Sequence, residues 1–437
     1  MAKINYFIGR FVLKVLSLKH LDRLISLLLI KYIVFKVNRL PKQGVASKPR
    51  LFFGPVPIIN NKYYSGAMSS LGYKSQTVMT DYYSSINKKA DYDIYREDIL
   101  KEFRLPVFLK QKYSNFLALY FALKNYDIFH LSYFGCFLGK TEYREYEADI
   151  FKSCGKKVVI MAYGADSYMY SKVIDPSLRH ALLLSYPLGA IDEEAVQKRV
   201  AYWQKNADAI VGSIMVDGFG RWDVLTPNYL VIDTQTWAPK RMFNEGDGVN
   251  GVVTIVHTPN HRGFKGTEFI KNAVEELQKE GLMVKLILLE NIQNDEVKRI
   301  LFEEADILAE QLFFIGYAMS GIEGMATGLP VLSNLSNENY TLLQKRFSFL
   351  NECPVLSTTP ETIKENIKQL VKNPSLRKEL GVKSRAYVEK YHSYTFIQYL
   401  FEKVYDKIWY KKENVDLLNL FHPLNPESYN NKYPNHR

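Results

Sequence analysis

Val252-Val-Thr-Ile-Val-His-Thr-Pro-Asn-His-Arg-Gly-Phe-Lys-Gly-Thr267 is the stretch that decides the fold. Its first six residues form a β-branched run ending at His257, which reads as a buried strand. A polar turn follows with His261, Arg262 and Lys265, and the amphipathic run Glu268–Lys279 predicts a helix starting near Gly266–Thr267. Downstream the alternation continues, with strands expected at Val284–Leu289, Ile307–Ala309, Pro330–Ser333 and Val355–Leu356 and helices at Asp295–Glu304 and Glu361–Lys372. Upstream, Leu51–Phe53, Gln76–Thr80, Asp127–Ser132, Lys157–Ala162 and Ala209–Gly212 read as strands, and Tyr113–Lys124 as one of the intervening helices. Asn244-Glu-Gly-Asp-Gly-Val-Asn-Gly251 separates the two arrays and is the best linker candidate. Two βα arrays in series predict an α/β protein of two doubly wound Rossmann-like domains, with a ligand bound where their strand C-termini face a cleft.

The chemistry concentrates in two places. Arg262 and Lys265, with exposed N–H groups just ahead of a helix N-terminus, suit a diphosphate: the helix dipole is positive there and both side chains are cationic. A solvated basic loop is the alternative. The second place is Ala305 to Val331, where Glu310 and Gln311 sit at an expected strand end, Gly316 follows in the turn, and Glu323 opens a short helix. A carboxylate at such a point can accept two hydrogen bonds from a ribose diol. Equally, Ser320-x-x-Glu323 can be a capping box in which Glu323 only satisfies a backbone N–H.

Together these stretches resemble the donor-binding half of the family-4 retaining glycosyltransferases of the GT-B fold. Arg262 and Lys265 match the family's diphosphate-holding pair, and Glu323, within Glu-Gly-Met-Ala-Thr-Gly-Leu-Pro-Val331, matches the second Glu of its Glu-x(7)-Glu motif. The first Glu falls on Ile315, a departure, and Glu310-Gln311 is similar to an Asp-Gln variant of some bacterial members. In the first half, Gly54 of Phe53-Gly-Pro-Val-Pro resembles the family's first strand-to-loop turn, and His130 occupies a position whose His often faces the active site. The His-Gly-x-Asp signature appears as Tyr163-Gly-Ala-Asp166, and residues 385–409 resemble the closing helices that cross back to the first domain. The resemblance spans about residues 51–409 and is specific between Val252 and Val331. It implies catalytic roles for His130, Asp166, Arg262 and Lys265, and donor binding by Gly54, Arg262, Lys265, Glu310, Gln311, Gly316 and Glu323. It also implies a nucleotide-diphosphate sugar as donor substrate, with no cofactor and no required metal. Asp91-Tyr-Asp93, a metal-holding pattern in other glycosyltransferases, lies in a charged stretch with no apolar strand before it and reads as a surface cluster.

Charge sharpens the picture. The 437 residues carry a net +11, yet residues 1–50 hold eleven Lys/Arg and one acid, so nearly all the excess lies there and the body is close to neutral. That distribution excludes a nucleic-acid binder, whose charge would cover the folded domain. Ile4, Phe7, Ile8, Phe11, Val12, Val15 and Leu16 share one helical face, and Leu21–Val37 is apolar but broken by Arg23, Lys31 and Lys36. Its longest uncharged stretch is far below the roughly 20 residues of a spanning helix. Two basic amphipathic helices lying in a headgroup layer are therefore expected, with helices packed on the protein as the alternative. No signal-peptide pattern is evident, and three widely spaced cysteines (Cys136, Cys154, Cys353) fit a reducing compartment.

The expected organisation is thus membrane-surface helices over 1–45, an acceptor domain over 46–243 and a donor domain over 244–394. A closing helix over 395–412 and a disordered, Asn/Pro/Tyr-rich tail over 413–437 complete it. The function expected is retaining transfer to a lipid, lipid-linked or polysaccharide acceptor by a bacterial enzyme bound peripherally at the cytoplasmic membrane face. A membrane-attached module that binds a nucleotide sugar or glycan without transferring it is the competing expectation.

Overall fold

A computed structural model describes residues 19–432 except 42, 43, 45, 46, 227, 347 and 348, so the first expected amphipathic helix lies outside the described residues. Two parallel sheets are built from the two βα arrays. The first contains β1 (Leu51–Phe53), β2 (Ser75–Met79), β3 (Ile94–Tyr95), β4 (Ile128–Leu131), β5 (Lys157–Met161), β6 (Ala209–Gly212) and β7 (Val224–Leu225), in the order β3-β2-β1-β4-β5-β6-β7. The second contains β8 (Val253–His257), β9 (Val284–Leu288), β10 (Ile307–Ile315), β11 (Val331–Asn334) and β12 (Leu356–Ser357), in the order β12-β11-β10-β8-β9. Every strand pairing is parallel, so side chains on both faces of each sheet are covered by helices. In the first sheet the chain reverses direction between β1 and β4, and in the second between β8 and β10. These are the switch points at which doubly wound sheets bind ligands.

β10 is the element that departs most from expectation. The strand does not end before Glu310 but runs on to Ile315, with two register shifts against β11 on either side of Gln311. Glu310 and Gln311 are consequently strand residues, almost fully buried.

Residues 228–237 bridge the two halves: the Val231 N–H donates to Asn60 of the first domain, and the Ile232 N–H to the His392 carbonyl. The glycine-rich stretch Asn244–Gly251 is already part of the second domain, its Asn244 and Gly246 carbonyls accepting from the Arg377 guanidinium. Return is made by the helix Tyr394–Ile408, whose Phe401 and Tyr405 pack beside Phe53 and His130 of the first sheet.

Residues 413–432, expected to be disordered, fold instead. Phe421 and Tyr429 are buried in an aromatic cluster with Tyr391, Phe396 and Tyr399, and the Tyr429 hydroxyl donates to the Lys390 carbonyl. The aromatic residues of this polar segment supply the burial that its average composition hides. The helix Lys19–Asn38 is likewise not a free amphipath. Ser26, Ile30, Ile33 and Val37 form one face buried against the first domain, while Leu24, Leu28, Tyr32 and Phe35 form the opposite, exposed face. Among the described residues no helix is long and apolar enough to cross a membrane.

Candidate functional site

At the second switch point, the turn after β8 meets the end of β10. A short helical turn, Arg262–Lys265, stops at Gly266, whose φ of 76° is left-handed and where an added Cβ would come within 2.9 Å of the Leu312 Cβ. The helix Thr267–Lys279 starts directly behind. His257, at the strand end, ties these pieces together: Nδ1 lies 2.7 Å from the Ala309 carbonyl and Nε2 2.9 Å from the Thr267 hydroxyl. Burial pushes its pKa down to about 3, so it is a neutral brace.

The two cations of the turn have different fates. Arg262 is substantially exposed and is held by two carboxylates, donating to Glu268 at 2.5 and 3.0 Å and to Glu290 at 2.8 Å. Lys265 is buried, its ammonium donating to Glu310 Oε1 at 3.1 Å and to Gln311 Oε1 at 2.8 Å. Glu310 Oε1 also accepts from the Ala318 N–H and the Ser320 hydroxyl, both at 2.9 Å, at the N-terminus of the helix Met319–Ala326. The charge of this buried carboxylate is thereby met by a cation, an amide and a helix end, although its Oε2 has no partner. Gln311 in turn donates to the Gly316 carbonyl at 3.0 Å, which fixes the turn at Gly316 (φ 96°).

Glu323, inside that helix, accepts from the Asn294 side chain at 2.9 Å across the switch point. Burial raises its pKa to about 7, opposed by the Asn294 bond and reinforced by the neighbouring Glu310. The capping-box alternative is excluded: Ala318 is the N-cap, Ser320 lies within the first turn, and both Ser320 and Glu323 bond elsewhere. Lys265, Glu310 and Gln311 thus form one hydrogen-bonded buried cluster, Glu323 is buried on the helix that starts beside Glu310, and Arg262 is exposed on the turn that carries Lys265.

The first domain contributes less than expected. His130 stacks on Phe53 at 4.4 Å between ring centroids and lies as close to Phe401; its Nε2 is 2.7 Å from the Tyr405 hydroxyl of the return helix. Burial holds it neutral, with a pKa of about 3. A cavity of about 40 Å³, lined also by Gly54 and Tyr229, reaches it. His130 thus braces the return helix through Nε2, while its buried Nδ1 has no hydrogen-bond partner. Asp166 has a bracing position too. It is fully buried, and its carboxylate accepts N–H bonds from Tyr133, Tyr163 and Gly164 at 2.9–3.0 Å, joining the loops after β4 and β5. Gly54 has no ligand-facing requirement visible: at φ 151° a Cβ would strike the Val78 carbonyl of β2 at 2.2 Å. Asp91 and Asp93 serve different partners, Lys62 and Thr77 respectively, and no metal-holding cluster occurs among the described residues. None of the three cysteines is in a disulfide.

Sequence reasoning missed the clasp over the donor turn. The helix Pro176–Ser185 of the first domain packs on Arg262–Lys265 and on β10, and the Ser185 hydroxyl accepts from the Phe264 N–H at 2.8 Å. Tyr186 sits on His261 at 4.1 Å. Ile315, standing where the family motif has a carboxylate, is buried in an apolar seam with Tyr170, Val173, Leu178 and Leu182 of the first domain. A carboxylate there would face apolar surface, which accounts for the substitution. Glu268 was legible as an acidic first-turn residue; Glu290 and Asn294, supplied by other elements, had no local signal.

No protein-family model and no curated protein matches the sequence. Among solved structures, Anabaena Alr3699/HepE in complex with UDP and glucose superposes with a TM-score of 0.51 at 11% identity, covering 82% of this chain and 100% of that one. The same protein with UDP alone gives a TM-score of 0.50 at 11% identity, again over 82% and 100% of the two chains. The chain has the GT-B fold. In GT-B terms the Arg262–Glu323 cluster belongs to the second of the two Rossmann-like domains, at the cleft face of its sheet.

Proposed function

We propose that the protein is a glycosyltransferase that takes a sugar from a nucleotide-diphosphate donor. The observation that carries this is the cluster at the β8/β10 switch point: an exposed Arg262 held by Glu268 and Glu290, a buried Lys265 on the same turn, and a buried Glu323 on the helix after β10. UDP and glucose bound to a protein of the same fold support it. An arriving diphosphate would displace Glu268 and Glu290 from the Arg262 fork, a bidentate donor suited to phosphate oxygens. Negative charge grows on the leaving diphosphate as the glycosidic bond breaks, so Arg262, backed by Lys265, stabilises the transition state more than the ground state. Glu323 would accept from the ribose hydroxyls. Retention of configuration by front-face attack is part of the proposal and rests on the family resemblance, as does the absence of a required metal.

The acceptor proposed is a lipid, lipid-linked or polysaccharide glycan at the cytoplasmic membrane face. Support comes from the +10 charge of residues 1–50 and the exposed apolar face of the Lys19–Asn38 helix beside Lys31, Lys36 and Arg39. A second reading is favoured by one specific observation: Lys265 is already neutralised by Glu310, and Ile315 closes an apolar seam where a sugar contact is expected. That arrangement suits a module that binds a nucleotide sugar or glycan without transferring it. A transfer and donor-hydrolysis assay on wild type and Arg262→Ala separates the two. Turnover lost in the variant supports the enzyme; nucleotide binding without turnover in the wild type supports the binding module.

A further inference from the structure

A cavity of about 560 Å³ lies away from the cleft. Arg50, Asp127, Lys157 and Asp208, which line it, precede or open β1, β4, β5 and β6, so it lies at the amino ends of the first sheet's strands. The cleft lies at the carboxyl ends. Seven basic and three acidic side chains line this cavity. Two of the acids are spoken for, Asp127 by Arg50 and Lys156 and Asp208 by Lys157. Lys124, Lys152, Lys205 and Lys411 are exposed at its walls, and none is in an ion pair among the described residues. Four unneutralised ammonium groups around one concave space form a site for a polyvalent anion.

A second, apolar groove of about 350 Å³ adjoins it. Ile30, Val34 and Phe35 of the first helix form one wall, and Tyr146, Ile150 and Ser153 the other. Asp149 lines both spaces, and the Asn38 side chain bonds the Ser153 carbonyl at 3.1 Å where they meet. A basic cup opening into an apolar trough has the shape and polarity of an anionic amphiphile. The exposed face Leu24, Leu28, Tyr32 and Phe35 continues the trough along the helix, and Lys36 and Arg39 lie over the Tyr32 and Phe35 rings in the arrangement of side chains at a headgroup boundary.

We propose that this double cavity binds an anionic phospholipid of the bilayer, its phosphate among Lys124, Lys152, Lys205 and Lys411 and an acyl chain along the groove. The lipid is a docking ligand and not the acceptor, since it lies at the amino ends of the first sheet's strands, opposite the carboxyl ends that face the cleft. The inference extends the membrane-surface reading of the first 50 residues and is separable from it, because residues 1–18 can hold the protein on a vesicle without this site.

The test uses the full chain and co-sedimentation with vesicles of phosphatidylglycerol in phosphatidylcholine. Neutralising Lys124, Lys152 and Lys205 together to Gln is expected to weaken binding on the order of a hundredfold, from about 1 kcal/mol per basic side chain at an anionic surface. The melting temperature should stay put, because all three side chains are exposed. Neutralising Lys279, Lys372 and Lys378 on the second domain is the charge-matched control and should leave binding unchanged. Phe35→Ser is expected to weaken vesicle binding about tenfold while sparing any binding of inorganic phosphate. Equal losses from the two lysine triples would overturn the site while leaving membrane attachment standing. So would unchanged binding of the first triple alongside loss on neutralising Lys3, Arg10 and Lys14. Tight binding of inorganic phosphate that vesicles do not displace would make the cup a free-anion site and overturn the lipid.

Discussion

Replacing Lys265 by Met is the perturbation whose consequence the structure fixes most tightly. The substitution keeps the aliphatic volume and removes an ammonium that is buried against Glu310 and Gln311. Glu310 keeps the Ala318 N–H and the Ser320 hydroxyl but loses its only cation, and its Oε2 already has no partner. Breaking a buried pair from one side costs about 3–5 kcal/mol when the remaining charge stays ionised. The expected loss at pH 7 is therefore about 3–5 kcal/mol. Urea denaturation of wild type and variant measures it, and adding Glu310→Gln should restore at least about 2 kcal/mol. A loss below about 1 kcal/mol, or an additive double variant, would refute the paired, buried state of Lys265.

Three further outcomes follow from the same geometry. Arg262→Ala should leave the melting temperature unchanged, since the side chain is exposed, while weakening nucleoside diphosphate binding tenfold to a hundredfold by calorimetry. The hydrogen bonds proposed from the ribose hydroxyls to Glu323 strengthen as its carboxyl, with a pKa near 7, ionises, so nucleoside diphosphate affinity should rise up to about tenfold from pH 6 to pH 8. Glu323→Gln should abolish that slope; a slope that survives the substitution rules Glu323 out as its source. His130→Phe leaves the buried Tyr405 hydroxyl unpartnered and should cost about 1–3 kcal/mol of stability, with kcat within a few-fold of wild type. A well-folded His130→Phe protein with kcat down a hundredfold would return His130 to the catalytic group.

The two arrays were legible because a buried parallel strand writes a continuous β-branched run into the sequence, as at Val253–His257 and Lys157–Met161. β3 and β7, two residues each, are too short to leave such a run. β10 was cut short for a different reason. Glu310 and Gln311 read as a strand end because buried strands seldom carry a carboxylate, and the ammonium that permits one lies 45 residues upstream. His130 shows the same limit more severely: its decisive partner, Tyr405, is 275 residues away. The basic turn itself was visible, because Arg262, Lys265, Gly266 and the helix start are local. The clasp by Pro176–Ser185 was not, since nothing in that helix distinguishes packing on a neighbouring domain from packing on its own.

The central claim is that the β8/β10 switch point holds the donor diphosphate, and hydrogen–deuterium exchange of the full chain with and without a saturating nucleoside diphosphate tests it most directly. The account predicts slowed exchange in peptides covering residues 257–268 and 316–324, lost in Arg262→Ala. Protection confined to the first domain, or to the basic cavity at the foot of its sheet, would contradict it.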